Sequence, residues 1–289
     1  MIVEKIPEDE RRNEVWNELK ANLNEIKKPK NVLLLGEYGT GKSSFINTVI
    51  TALTGRYRYY ADIGSGNLHC TTRLHKIFRE EYWNPEKEED RALNLPNFID
   101  IIGLDVQLSN PFEVDTVNSQ IMNLILNGKL SEDTDLLDLG MKLKEGKKIK
   151  EIPEDESLVI DIIVIVVSLE DDKIQHTLLD EIYKESNKRT RQFPVFAVLT
   201  KSDKCNDQKK LEKKKKDIAE EISIDVKKIL ICKNYHEGQN PDSRDVEILE
   251  FLTKLCDPCL KVVKLHKVKV EEEQATSTPI PPTYGCSLM

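Results

Sequence analysis

The stretch "NVLLLGEYGTGKSSFINTV", residues 31–49, joins an apolar run of strand character to a glycine-rich turn and then to apolar residues at helical spacing. Within it, Gly36-Glu37-Tyr38-Gly39-Thr40-Gly41-Lys42-Ser43 has the spacing G-x-x-x-x-G-K-[ST]. A turn of this kind points consecutive backbone N–H groups inward, and the helix that follows aims its positive end at the same anion. The residues from Gly36 to Ser44 therefore read as a phosphate cradle. Lys42 reaches the β- and γ-phosphates and the Ser43 hydroxyl ligates Mg²⁺. With average glycine usage the pattern arises by chance in roughly one chain in a hundred of this length, and the flanking strand and helix make chance rarer still.

The rest of the chain sets bounds. A length of 289 residues with 39% hydrophobic and 33% charged residues suits one globular domain of about 230 residues with appendages. The longest apolar run, Leu158 to Leu169, is interrupted by Asp161 and reads as a buried strand, not a membrane span. The start "MIVEKIPEDERRNEVW" is charged where a signal peptide would be apolar, so a cytoplasmic location is expected. Six scattered cysteines favour free thiols, and a net charge of −8 argues against nucleic-acid binding.

Residues 8–27 place Val15, Trp16, Leu19, Leu23 and Ile26 on one stripe, which predicts an N-terminal amphipathic helix (within 1–29) packed on the domain that follows (30–263). Strands are expected at 31–35, 73–79, after Pro96, across 158–169, in "FPVFAVLT" and at 228–232. Helices are expected at 42–54, 112–127, 172–187, 208–222 and 242–263. The segment 130–157 is charged and without periodicity, and reads as an insertion. Residues 264–289 lack the apolar content to fold. Alternating strands and helices predict an α/β fold, a doubly wound and mostly parallel sheet with helices on both faces.

In such a sheet ligands lie at the carboxyl ends of the strands, so strand-end residues converge on the cradle. Asp100, in "DIIG", holds the Mg²⁺ water shell while the Gly103 N–H meets the γ-phosphate. Thr200-Lys201-Ser202-Asp203 closes "VFAVL". The Asp203 carboxylate accepts from the ring N–H and 2-amino group of guanine, a pair that adenine does not offer, and Lys201 lies along the base plane. After the next strand, Lys233 or Asn234 falls near guanine O6. Thr71 and Thr72 stand where one threonine completes Mg²⁺ coordination, and sequence does not separate them. Lys42 and Thr72 are candidates for transition-state support; no catalytic base is legible.

GEYGTGKS, TT, DIIG and TKSD in this order resemble the guanine-nucleotide elements of Ras-like GTPases. The blocks "LLLGEYGTGKSSFINTV", "LPNFIDIIGLD", "IMNLILNGKL" and "NYHEG…DVEILEFL" resemble the interferon-induced protein 44 family over about residues 10–260. That likeness implies GTP and GDP binding with Mg²⁺, cytoplasmic residence and an antiviral role. Vertebrate members often carry a degraded guanine motif, whereas TKSD is intact here. Ras-like enzymes place a glutamine after the D-x-x-G glycine to orient the attacking water, and this chain has Leu104. Slow hydrolysis follows, with Tyr38 beside the γ-phosphate obstructing an arginine supplied in trans and favouring a homodimer across the nucleotide face.

Other features have plainer readings. "QKKLEKKKKD" reads as a solvated helix face. Cys256 and Cys259 read as two incidental thiols, and the histidines at 69, 75, 176, 236 and 266 form no metal-like cluster. Cys286-Ser287-Leu288-Met289 has the form of a prenylation box, with upstream lysines as a second signal for membrane association.

Overall fold

The computed structural model describes residues 8–61, 73–101, 111–149, 153, 157–170, 193–205, 207–239 and 243–260. Its strands are β1 (Asn31–Leu35), β2 (His75–Ile77), β3 (Asn97–Asp100), β4 (Ile162–Ser168), β5 (Val195–Thr200) and β6 (Ile229–Ile231). They form one sheet in the order β2-β3-β1-β4-β5-β6. The edge strand β2 runs antiparallel to β3, and every other pairing is parallel.

Because strand side chains alternate between faces, the inner strands feed two cores. Leu33, Leu35, Ile163, Ile165 and Leu199 enter one layer, while Val32, Leu34, Val164, Val166 and Val198 enter the other. The first layer is covered by α5 (Pro111–Leu126), α6 (Leu136–Lys144) and α7 (Gln208–Glu221). The second is covered by α1 (Glu8–Glu25), α2 (Lys42–Thr54) and α8 (Arg244–Leu255). A sheet buried on both faces needs near-continuous apolar strands, which is what "IIVIVVS" in β4 supplies. This is the α/β architecture of P-loop nucleoside triphosphatases, doubly wound and mostly parallel, with helices on both faces.

The stripe of α1 buries Val15, Leu19 and Leu23, and Ile26 follows just past the helix. Trp16 packs on Trp83 with ring centroids 5.8 Å apart. Arg12 binds the buried carboxylate of Asp245 at 3.3 Å, and the Asn22 amide donates to the Thr253 carbonyl at 3.0 Å, so α1 lies along α8.

Some elements depart from the sequence-based expectation. The strand expected at 73–79 is shortened to β2, because the chain turns at once into the one-turn helix α3 (Arg79–Tyr82), followed by α4 (Glu88–Arg91). The segment read as charged and without periodicity contains α6, capped by the Asp135 carboxylate, which accepts from the Leu137 and Asp138 N–H groups. Leu136 and Leu139 are buried there, one helical step apart, and the exposed Leu137 and Met141 blur their spacing in the sequence. The helix expected at 242–263 ends at Leu255. The helix expected at 172–187, the tail 264–289 and Cys286 lie outside the described residues.

Candidate nucleotide and magnesium site

β1 ends at Leu35 and α2 begins at Lys42, and the six residues between them make the loop. Two of its glycines are required by the packing. A Cβ on Gly36 would lie 2.2 Å from the Val166 carbonyl oxygen of β4, so only hydrogen fits where the loop leaves the sheet. Gly41, at the start of α2, has φ 91°, and a Cβ there would approach the Asn234 amide nitrogen at 3.1 Å. The loop closes on itself through the Thr40 hydroxyl, which donates to the Glu37 carbonyl at 2.9 Å. Tyr38 and Gly39 form its exposed crest.

Lys42 is buried, and its Nζ donates to the Gly36 and Glu37 carbonyls at 2.9 and 3.0 Å, folding the ammonium over the loop. Burial lowers its pKa, opposed by the charges of Asp100 and Glu37. The Ser43 hydroxyl donates to Asp100 Oδ2 at 2.5 Å. The two side chains expected to share a magnesium ion, 57 residues apart in the chain, are thus in contact. Burial pushes the Asp100 carboxyl above its ordinary range, while Lys42, the Ser43 hydroxyl, His75 and the Ile101 N–H pull it back. His75 faces Asp100 across the β2–β3 ladder. One buried cation, one buried carboxylate and a hydroxyl at a helix start fit a polyphosphate with a hard divalent cation. Ser44 lies one residue further along α2 and is half-buried.

The end of β5 and the loop after β6 dock onto the same turn. The Thr200 hydroxyl donates to the Thr40 carbonyl, and the Asn234 amide donates to the Gly41 carbonyl at 3.4 Å. Lys201 has a left-handed backbone with φ 59°, and its Nζ meets Glu170 Oε2 at 2.7 Å. Asp203 is exposed in a 3-10 turn, Ser202–Lys204, whose Ser202 N–H is held by the Cys232 carbonyl at 3.3 Å. Lys233 is exposed and Asn234 buried, so of these two it is Asn234 that reaches the phosphate loop. Gly103, Leu104, Thr71 and Thr72 lie outside the described residues.

Two contributors carry no signal in the sequence. Glu170 follows β4 as one acid among several in "SLEDD". Asn47, inside α2 and fully buried, accepts from the Tyr60 and Ala61 N–H groups at 2.9 Å and donates to the Ala61 carbonyl at 2.9 Å. It thereby ties the chain after α2 to the helix.

Neither a protein-family model nor a curated protein matches this chain. Among solved structures, Toc33 from Arabidopsis thaliana in complex with GDP and Mg²⁺ aligns over 90% of this chain and 96% of that one, at 13% identity and a TM-score of 0.46. Toc33 with Mg²⁺ and GMPPNP aligns over 87% and 92%, also at 13% and 0.46. Era in complex with MgGDPNP and a segment of 16S ribosomal RNA aligns over 71% of this chain and 51% of that one, at 16% and 0.38.

Proposed function

We propose that this chain is a guanine-nucleotide-binding protein of the Ras-like kind, which takes GTP or GDP with Mg²⁺ and switches between the two states. The observation that carries the reading is the meeting of Ser43 with Asp100 at 2.5 Å beside the buried Lys42, with Thr200 at the end of β5 and Asn234 after β6 docked on the same turn. Lys42 would bind the β- and γ-phosphates, and Ser43 and Asp100 would hold the ion and its water shell. Guanine preference rests on Asp203, whose turn stands at the end of β5 next to the docked loops. Its carboxylate would pair with the guanine ring N–H and 2-amino group.

The decisive experiment is a competition titration of guanine against adenine nucleotides on the full chain. GTP and GDP are expected to win by orders of magnitude, and Asp203→Asn to weaken GTP while improving xanthosine triphosphate, whose altered ring edge suits an amide. Equal competition by ATP would overturn the reading. Hydrolysis is proposed to be slow because Leu104 cannot orient water, and single-turnover measurement distinguishes a slow enzyme from a scaffold that only binds. Tyr38, 50% exposed on the crest of the loop, supports a homodimer across this face; turnover per molecule that rises with protein concentration is its expected signature. An antiviral role rests on the likeness of the sequence blocks to the interferon-induced protein 44 family.

A further inference from the structure

Lys201 begins on a fixed point and ends on one. Its backbone is held in the left-handed region at φ 59°, directly after Thr200, whose hydroxyl is tied to the Thr40 carbonyl of the phosphate loop. Its Nζ is held by Glu170 Oε2 at 2.7 Å. Glu170 is itself seated by the end of β4. Its N–H donates to the Ser168 hydroxyl at 3.2 Å, and the neighbouring Leu169 N–H donates to the Thr200 carbonyl at 3.1 Å. The acid and the lysine therefore stand just past the ends of two adjacent parallel strands, and those ends are bonded together. Four methylenes span the distance between them.

A free lysine side chain holds about 2 kcal/mol of rotamer entropy, and fixing both of its ends leaves the stem as one preformed apolar surface. The side chains of Lys201 and Glu170 are 30% and 40% exposed, so the pair contributes little to folding stability. Its consequence belongs with whatever lies against the stem. The acid's carboxyl is held below its ordinary range first by the hydrogen bond from Lys201 and then by its charge, so it stays an anion at neutral pH.

We propose that Glu170 is a positioning residue of the base site, holding Lys201 extended so that its methylene stem forms a preorganised platform for the purine ring. The proposal rests on the guanine-nucleotide reading above. It accounts for an acid in "SLEDD" that the phosphate and magnesium chemistry does not use. Without the ion pair the stem must be ordered each time a nucleotide arrives, and the bound base loses a wall that would otherwise slow its escape.

The test uses the full chain, Mg²⁺ and a fluorescent N-methylanthraniloyl-GDP, with Glu170→Gln, Lys201→Met and the double variant. Glu170→Gln is expected to raise the dissociation rate about two- to fivefold, the range open to one exposed ion pair. Pyrophosphate affinity and the thermal midpoint are expected to stay at wild-type values, because no phosphate contact and little folding energy is involved. In the Lys201→Met background, Glu170→Gln is expected to add nothing. An unchanged dissociation rate, an equal loss of pyrophosphate affinity, or an undiminished effect in the Lys201→Met background would each overturn the positioning role while leaving guanine binding intact. Wild-type protein that binds ADP and GDP alike would overturn both readings together.

Discussion

Asp100 shows what burying a carboxylate costs. Its carboxyl is buried and its pKa is raised, desolvation outweighing Lys42, Ser43, His75 and the Ile101 N–H. For an acid raised on folding, the favourable contribution is complete below the unfolded value, about 3.9, and is lost as pH climbs through the folded one. Ionised Asp100 is thus a net cost to the nucleotide-free protein at neutral pH. Asp100→Asn keeps an acceptor for the Ser43 hydroxyl and removes that cost. Its thermal midpoint is expected to exceed wild type near pH 7, with the gain shrinking below about pH 4, while Mg²⁺-dependent nucleotide affinity falls at least about tenfold. A midpoint lowered at pH 7 would show that pairing with Lys42 outweighs desolvation. Gly41→Ala places a Cβ at φ 91° and 3.1 Å from the Asn234 amide, and is expected to cost about 1–2 kcal/mol in denaturant unfolding. Wild-type stability in that variant would mean that the turn relaxes freely. The turn between β1 and α2 is legible because its conformation is local, set by glycines at fixed spacing. The ties of Asn47 to Tyr60, 13 residues on, and of Glu170 to Lys201, 31 residues on, are not, because an asparagine in a helix or an acid after a strand looks ordinary until its partner is in place.

At the scale of elements, long periodic segments announced themselves and short ones did not. The α1 stripe runs from Val15 to Ile26, about three turns, so its apolar spacing stands out from the charges around it. In α6 the buried Leu136 and Leu139 alternate with the exposed Leu137 and Met141, so over nine residues no apolar stripe separates itself from its surroundings. Its packing is nonetheless real: Leu136 is fully buried with Val117, Ile121 and Ile125 in the same core layer. Leu136→Ala is expected to destabilise by about 2–4 kcal/mol, read as a lowered urea midpoint with an unchanged slope. A loss under about 1 kcal/mol would place α6 outside the cooperative core. The short β2 has a different cause. It is an edge strand whose length is set by its ladder with β3, from His75↔Asp100 to Ile77↔Phe98, and β-propensity alone does not report where a partner ends.

Across the whole molecule, cysteine chemistry separates two thiols that the sequence sets side by side. Cys256 is fully buried at the end of α8, its pKa pushed up to about 12 chiefly by desolvation, and Cys232 is likewise raised to about 12, whereas Cys259 is exposed. Peptide-level mass spectrometry after brief maleimide treatment is expected to find Cys259 labelled, with Cys256 and Cys232 protected until the protein unfolds. Labelling of Cys256 at the rate of Cys259 in native protein would contradict this packing. Sequence alone determined the fold class, the glycine-rich turn between β1 and α2 and the strand-end positions of Asp100 and Thr200, because alternation of apolar strands with amphipathic helices and the spacing of a turn are written along the chain. Only the tertiary structure decided the strand order, the contact of Ser43 with Asp100, the docking of Thr200 and Asn234 on the loop, and the seating of Lys201 by Glu170. Those depend on which strands become neighbours, and neighbourhood in a sheet is set by the packing of two buried faces at once, which no local stretch of sequence contains.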